Sequence, residues 1–252
     1  MARKRKRKAA NDPRPHVATP AGVAVAEAPA APAPAQRVVK ETARGQFEKW
    51  ALTYDRSWLN ELVFYPSIRA CLTEIAAWKA NRGTRPYRVL DVGCGTGTFL
   101  SLAAQDTAAT HLVGLDYAAE MVRRAAEKFS HLPTPERLLA VRADAERLPF
   151  ADGAFDVVTC CNSFHHYPHQ PAAVAEFRRV LAPGGMLVLI DGFRDNVIGW
   201  VVFDVAVTTI ERNVHHAAWS RVRTLLGDAG FRGVRQRKMN VLAPLLVTIA
   251  TT

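Results

Sequence analysis

Three glycines at alternate positions are the residues of this sequence that point most directly to ligand binding. An apolar run leads into them, and the order is Val89-Leu90-Asp91-Val92-Gly93-Cys94-Gly95-Thr96-Gly97. Glycine permits a tight turn and lets a ligand approach the backbone without obstruction by a Cβ atom. Doubly wound sheets bind their ligands at such loops, between the end of a strand and the start of a helix. We therefore expect this loop to hold a small molecule.

The spacing of the glycines separates two classes of ligand. A dinucleotide fingerprint has the spacing G-x-G-x-x-G, which would require a glycine in place of Thr98. The observed spacing is G-x-G-x-G, and the nearby Asp91 would repel a pyrophosphate but attract a cation. S-adenosylmethionine (SAM) carries an ammonium and a sulfonium group. The loop therefore favours SAM, with Asp91, Gly93, Cys94, Gly95 and Gly97 as candidate cofactor-binding residues.

Asp116 ends the next apolar run, 19 residues after Gly97. An acid at this place in a doubly wound fold accepts hydrogen bonds from the ribose hydroxyls of a cofactor. The same carboxylate can instead cap the helix that follows. Tyr117 and Met121 would pack beside the ribose and adenine, although Met121 also fits the core-facing stripe of that helix.

A polar segment, Asn162-Ser163-Phe164-His165-His166, follows a later strand-like run. A neutral imidazole can take a proton from a reacting group. We expect His166, with His165 as the second candidate, to act as a base or to orient a substrate hydroxyl. Asn162 is expected to contact the methionine part of the cofactor. Histidines in an exposed loop without a catalytic role are the alternative.

Strand-like and helix-like runs alternate between these motifs. Strands are predicted at residues 88–92, 111–116, 138–142, 155–161 and 186–191, with helices at 98–105, 118–130 and 170–181 between them. Such alternation predicts a parallel sheet with helices on both faces. Helices at 196–213 and 219–229 follow, and the strands 234–239 and 245–251 are expected to form an antiparallel hairpin at the sheet edge. The predicted fold class is a doubly wound, Rossmann-like α/β sheet of seven strands, mostly parallel, with an N-terminal helical cap.

Charge and proline content divide the chain in two. Residues 1–40 hold nine Lys or Arg against two acids, with six consecutive cations at residues 3–8 and an Ala/Pro-rich stretch behind them. We predict that residues 1–40 are a disordered tail, because they lack the apolar bulk that would offset chain entropy. Residues 41–252 are predicted to form one domain, with the helical cap at 41–83 and the Rossmann-like core at 84–252. This domain has 24 basic and 21 acidic residues, so most of the net charge of +10 belongs to the tail.

Six segments of the chain match motifs of one enzyme family. They are Phe47-Glu48-Lys49-Trp50-Ala51-Leu52-Thr53-Tyr54-Asp55, the glycine loop, Gly114-Leu115-Asp116, Ala143-Asp144-Ala145-Glu146-Arg147-Leu148-Pro149-Phe150, Phe155-Asp156-Val157-Val158 and Leu181-Ala182-Pro183-Gly184-Gly185. Over about residues 44–252 the chain resembles class I SAM-dependent methyltransferases, specifically the ubiquinone/menaquinone-biosynthesis C-methyltransferase-like enzymes. The resemblance implies that Asp144 accepts from the adenine amino group, that the amide of Ala145 donates to the adenine ring, and that Tyr54 adds to the cofactor site. Asp144 is also a common turn residue.

The expected activity is methyl transfer from SAM to a small organic acceptor, apolar or aromatic, in the cytoplasm. Because a sulfonium is already a good leaving group, the protein mainly has to align the reactants and exclude water. Two alternatives stay open, namely methylation of RNA or protein docked by the basic tail, and a non-catalytic SAM-binding regulator. The nearly neutral domain argues against a specific nucleic acid, and so does the lack of a proline after Asn162, which amino-methylating DNA enzymes have.

Composition excludes several other classes of protein. The longest apolar run, residues 197–210, is too short for a bilayer span and contains Asp204, so no membrane span is expected. The four cysteines have no metal-ligand spacing, so no metal site is expected either. The apolar segment 196–213 fits an acceptor pocket, a dimer interface or core packing, which leaves a homodimer open.

Overall fold

The computed structural model describes residues 64–192, 218–239 and 245–252. The predicted tail (1–40), the cap residues before Phe64, Tyr54 and the predicted helix at 196–213 lie outside these ranges. The helices are α1 (Tyr65–Ala80), α2 (Thr98–Ala103), α3 (Ala119–Ser130), α4 (Gln170–Val180) and α5 (Trp219–Asp228). The strands are β1 (Tyr87–Val92), β2 (Ala109–Asp116), β3 (Leu138–Arg142), β4 (Phe155–Cys161), β5 (Leu181–Gly192), β6 (Arg232–Met239) and β7 (Leu245–Thr251).

The strands form one seven-stranded sheet in the order β3-β2-β1-β4-β5-β7-β6. Strands β1 to β5 pair in parallel, whereas β7 is antiparallel to both of its neighbours. The predicted Rossmann-like fold class is therefore confirmed. The terminal strands do pair as predicted, but β7 inserts between β5 and β6. As a result only β7 runs against the rest, and β6 forms the edge.

Alternate residues of the central strands pack into two separate cores. Leu90 and Val92 of β1 belong to the core under α4 and α5, whereas Val89 belongs to the core under α1, α2 and α3. This alternation follows from the period of two in a β-strand. Because both faces are covered, the parallel strands are nearly continuous apolar runs, as in other α/β sheets.

The strand order places a switch point between β1 and β4. From β1 the chain proceeds outward to β2 and β3, and then returns to the other side of β1 as β4. Helices on opposite faces diverge at such a point, and ligands of open α/β sheets bind in the crevice there, beyond the carboxyl ends of the strands. The glycine loop after β1 and the segment after β4 both lie at this crevice.

None of the helices in the described ranges is long and apolar enough to cross a bilayer.

Candidate cofactor and acceptor site

The glycine loop is held by close packing on both sides. Gly93 has φ +76°, and a Cβ atom there would lie 2.2 Å from the Ser163 Oγ atom. Gly97 has φ +77°, and its Cβ would lie 2.6 Å from the ring of Phe129. Gly95 differs, because its φ is +54° but a Cβ would meet nothing within 4 Å. Gly93 and Gly97 therefore allow the loop to pack, while Gly95 leaves open space above it.

Asp116 connects this loop to the end of β2. One carboxylate oxygen accepts a hydrogen bond from the Gly95 amide at 3.0 Å, and the other accepts from the Ala118 amide at 2.9 Å. Burial raises the pKa of Asp116, although hydrogen bonds from backbone amides lower it in part. Asp116 thus turns the chain just ahead of α3 and holds the glycine loop in place. It does not cap the helix as its alternative interpretation expects, because the N-cap residue of α3 is Ala118 and no side-chain cap hydrogen bond is formed there.

A main cleft of about 820 Å³, including its open mouth, lies above the carboxyl ends of β1, β2 and β4. Its residues come from the glycine loop, the end of β2 with α3, the segment after β3 and the segment after β4. They are Gly93, Gly95, Leu115, Asp116, Tyr117, Ala118, Met121, Ala143, Asp144, Ala145, Glu146, Cys161, Asn162, Ser163, His166, Tyr167 and Pro168.

A second cleft of about 560 Å³ adjoins the first on the α1 side of the sheet. The two clefts share Gly93, Gly95, Cys161 and Asn162. The second is lined further by Phe64, Tyr65, Ile68, Asp91, Cys94, Thr96, Thr98 and Phe99. Together the two clefts form one joined site, with Asp144 lining the first cleft and Asp91 the second.

Asp91 is a buried carboxylate that lines the second cleft. It is 3% exposed, and it accepts a hydrogen bond from the Thr159 hydroxyl at 2.7 Å. Burial raises the pKa of Asp91 to about 7, the bond from Thr159 lowers it in part, and the charge of Asp116 raises it further. A cation in this cleft would favour the ionised form of Asp91.

Asp144 lies on the opposite side of the main cleft. One of its carboxylate oxygens accepts a hydrogen bond from the Glu146 amide at 3.0 Å. This bond is typical of a local turn, which is the alternative role of Asp144. Asp144 and Ala145 nevertheless both line the cleft. The turn therefore presents a carboxylate and a backbone amide beside Met121, where the resemblance places an adenine.

The segment after β4 forms another wall of the main cleft. Asn162 takes a left-handed conformation with φ +55°, which is uncommon for a residue other than glycine. The Ser163 hydroxyl donates to the Val92 carbonyl at 3.1 Å and lies 2.9 Å from the Tyr167 hydroxyl. These bonds join the segment to the end of β1 and place Asn162 where the two clefts meet.

The two adjacent histidines lie in different surroundings. His166 lines the main cleft, whereas His165 is 8% exposed and lies behind it. The Nδ1 atom of His165 is 2.6 Å from one carboxylate oxygen of Asp191, and its backbone amide donates to the other oxygen at 2.8 Å. The rings of His165 and His166 have their centroids 4.0 Å apart. His165 therefore supports the ring of His166 from the protein interior.

The structure brings most of the predicted site residues to the two clefts. Ten of them line one or both, namely Asp91, Gly93, Cys94, Gly95, Asp116, Tyr117, Met121, Asp144, Ala145 and Asn162, and His166 joins them. Within the described residues, Gly97 packs against α3 instead of lining a cleft, and His165 pairs with Asp191. Sequence reasoning did not select Glu146, Ser163, Tyr167 or Tyr65. Glu146 belongs to one of the six family motifs, and Tyr167 directly follows the two histidines. Both residues could therefore have been predicted from their positions in the sequence.

The charge of the lining residues indicates the kind of ligand. Asp91, Asp116, Asp144 and Glu146 surround the two clefts, and none of the described lining residues is Lys or Arg. Such a site suits a cation and disfavours a pyrophosphate. The open space at Gly95 and the acid at the end of β2 fit a nucleoside. These features define a doubly wound α/β domain that holds a cationic nucleoside at its switch point.

Comparison with known proteins agrees with this definition. The methyltransferase domain family matches residues 89–185. Demethylmenaquinone methyltransferase of Lactiplantibacillus plantarum is 29% identical over 78% of this chain and 90% of its own length. Malonyl-[acyl-carrier protein] O-methyltransferase of Geobacter sulfurreducens is 33% identical over 76% of this chain and 70% of its own length. An uncharacterized chloroplastic methyltransferase of Arabidopsis thaliana is 36% identical, but the match spans only 46% of this chain and 33% of that protein.

Among solved structures, magnesium protoporphyrin IX methyltransferase of Synechocystis with bound SAH has the same fold. The TM-score is 0.66 at 19% identity, and the match covers 86% of this chain and 99% of that one. The chain belongs to the class I SAM-dependent methyltransferases, and SAM is its cofactor. The prediction of this family from the six sequence motifs is confirmed.

Proposed function

We propose that the protein methylates a small apolar or aromatic acceptor at the His166 end of the main cleft. The observation that carries the proposal is that the main cleft is lined both by Asp116 and Asp144, two of the acids expected to hold SAM, and by His166 with its neighbours Tyr167 and Pro168. Apolar and aromatic side chains form much of this wall, which suits an acceptor with few charges.

Each part of the site has a distinct proposed task. When bound, SAM supplies a methyl group on a sulfonium, which is a good leaving group. Asp116 is proposed to hold the ribose, Asp144 with the Ala145 amide to hold the adenine, and Asp91 to face the ammonium. Asn162 borders both clefts and orients the methionine part. His166 takes a proton from the acceptor as its nucleophilic atom reacts.

An aromatic hydroquinone is the acceptor that we propose to test first. The Lactiplantibacillus relative is named for demethylmenaquinone, an aromatic ring with a long apolar chain, and it aligns over most of both proteins. The Geobacter relative is named for a malonyl thioester, which is the second acceptor to test. A carboxylate-bearing acceptor fits less well with a cleft wall in which the described residues offer carboxylates and no Lys or Arg.

The experiment is transfer of a labelled methyl group from SAM. The purified chain is incubated with methyl-labelled SAM and either reduced demethylmenaquinone or malonyl-acyl carrier protein, and the product is identified by mass spectrometry. Label in the quinone supports the proposal. Label in the malonyl ester, in added RNA or in the protein itself, with none in the quinone, would contradict the proposed acceptor class.

Replacing Asp116 by alanine is expected to weaken SAM binding by about 1–3 kcal/mol, the loss typical of a hydrogen bond to a charged group. Calorimetry on the folded variant measures the effect. Asp156→Ala is the matched control, because this carboxylate bonds Arg88 at the opposite end of the sheet. If Asp116→Ala bound SAM as tightly as the control does, Asp116 would have no role in binding the ribose. Its function would then be limited to its hydrogen bonds with the Gly95 and Ala118 amides.

SAM binding is expected to strengthen as the pH rises from about 5.5 to 8. The pKa of Asp91 is raised to about 7, so below that pH the carboxyl is neutral and must release a proton before it can pair with the ammonium. The limiting change is about tenfold in affinity per pH unit below 7. Calorimetry in buffers of different ionisation enthalpy measures the proton release directly.

Asp91→Asn provides the control for this pH dependence. The variant is expected to bind SAM more weakly at pH 8 and to lose the proton release that comes from Asp91, because asparagine does not titrate. The stability of the unliganded protein should change in the opposite direction. A buried carboxyl with a raised pKa favours folding at low pH, and this contribution is lost as the pH approaches 7. A wild-type affinity that stays constant between pH 5.5 and 8 would contradict the role of Asp91.

A further inference from the structure

The C-terminal part of the chain is strongly basic. From Ala218 to Thr252 the sequence holds six Lys or Arg and a single acid, Asp228. The structure distributes these cations over α5 and over β6, the edge strand of the sheet. Arg235 and Arg237 face α1, where both pair with Glu74. The other side of β6 faces α5.

On the α5 side an exposed tryptophan lies among cations. Trp219 is 43% exposed, and the ammonium of Lys238 is 5.0 Å from its ring centroid. Arg221 and Arg223, on the first turns of α5, are exposed as well. We call Trp219, Arg221, Arg223 and Lys238 the rim patch.

Hydrogen bonds fix the rim patch in position. The side-chain amide of Gln236 donates to the Trp219 carbonyl at 2.9 Å, and Arg223 donates to the Gln236 side-chain oxygen at 3.2 Å. The first turns of α5 are thereby tied to the carboxyl half of β6. These hydrogen bonds hold the residues of the rim patch in a fixed arrangement.

The sheet register places the patch at the same rim as the cofactor clefts. Lys238 pairs with Leu246 of β7, and Leu246 pairs with Asp191 near the end of β5. Lys238 is therefore level with Asp191 and two strands away, about 10 Å across the sheet. Asp191 in turn bonds the segment that carries His165 and His166. The patch therefore lies at the same rim of the sheet as the main cleft.

We propose that the rim patch binds the surface of a bilayer that contains anionic lipids, and so brings the cleft to an acceptor dissolved in that bilayer. This inference rests on the proposed function, because an aromatic acceptor with a long apolar chain is held by the membrane. Tryptophan prefers the interface between headgroups and acyl chains, where its ring is buried and its N–H stays hydrated. Lys and Arg beside it are attracted to anionic headgroups.

A bilayer fits these observations better than RNA does. Stacking of bases would use the ring faces of Trp219, and the Lys238 ammonium lies over one of them. An RNA groove would also be expected to continue over the domain, whose remaining charge is nearly balanced. Insertion of the ring edge beside three cations needs neither a free ring face nor a long basic groove.

The test uses sedimentation of the full chain with vesicles of phosphatidylglycerol and phosphatidylcholine in equal parts. The cations of residues 3–8 would also bind such vesicles, so the comparison is made in a chain with glutamine at each of them. In that background, Arg221→Glu with Lys238→Glu is expected to lower the partition coefficient at least about tenfold. Arg82→Glu with Arg123→Glu changes the net charge equally, away from the patch, and is expected to leave most of the binding.

A second readout reports on Trp219 itself. Brominated acyl chains are expected to quench part of the tryptophan fluorescence of the wild type, and Trp219→Phe should remove this part while the protein still binds. Equal vesicle binding by the two charge-reversed proteins would overturn the proposal, and so would quenching that survives in Trp219→Phe. Loss of RNA binding with unchanged vesicle binding would assign the patch to nucleic acid instead. Since none of these assays requires SAM or an acceptor, their outcome is independent of whether a quinone is methylated.

Discussion

Replacing Gly93 by alanine is expected to destabilise the protein by about 2–5 kcal/mol and to abolish SAM binding. A left-handed conformation costs about 1–2 kcal/mol for a residue with a Cβ, and overpacking adds about 1–3 kcal/mol. Here the new Cβ would lie 2.2 Å from the Ser163 Oγ atom and 2.5 Å from its Cβ. Ser163 must then move, and its bond to the Val92 carbonyl is lost. Denaturant unfolding and calorimetry measure the two effects.

Two other glycines separate the causes. Gly230→Ala has φ +82° with nothing within 4 Å of the new Cβ, so it should cost only the conformational strain and leave SAM binding intact. Gly95→Ala also has space for the Cβ, but that space belongs to both clefts, so the variant should fold and yet bind SAM poorly. If Gly93→Ala were as stable as Gly230→Ala and bound SAM equally well, the claim that the loop packs tightly against Ser163 at Gly93 would be contradicted.

His166→Ala is expected to reduce turnover by about 10²–10⁴-fold, the usual contribution of a positioned general base. Because His166 follows β4, whereas Asp116 and Asp144 follow β2 and β3 on the other side of β1, the SAM affinity should change little. Steady-state kinetics with an active acceptor, combined with calorimetry, separates the two quantities. Turnover close to that of the wild type would remove acid–base catalysis from this histidine and leave alignment of the reactants as the source of the rate.

His165→Ala serves as the comparison for this variant. Its ring fills a buried site and bonds Asp191, so its loss is expected mainly to lower stability, by about 1–3 kcal/mol for a buried carboxylate that loses a donor. Asp191 keeps the bonds from the His165 and Gly192 amides. Turnover should fall less than in His166→Ala, since only the support behind the His166 ring is removed.

The sequence predicted the order of elements because the apolar runs are long and well separated by glycine and proline. It did not predict that β7 lies inside the sheet. A hairpin can add to an edge through either strand, and the choice depends on burial. β7 is apolar on both faces and becomes buried between β5 and β6, whereas β6 carries Arg and Lys and suits an edge. This difference in composition is visible in the sequence, but a rule that only pairs neighbouring strands into a hairpin does not take it into account.

The positions of the proposed cofactor residues were predictable for a similar reason. Asp91, Asp116 and Asp144 each end or directly follow a strand, and parallel strands bring their carboxyl ends to one rim. The partnership of His165 with Asp191 was not predictable, because it spans 26 residues and depends on the pairing of β4 with β5. Nor could residue spacing alone distinguish the histidine in the cleft from its buried neighbour.

Calorimetric titration of the full chain with SAM and, separately, with NAD⁺ tests the central claim most directly, namely that the glycine loop and the two joined clefts bind SAM. The expected result is a single SAM site of micromolar affinity that weakens in Asp116→Ala, with no binding of NAD⁺. Binding of NAD⁺ without binding of SAM would contradict the assignment.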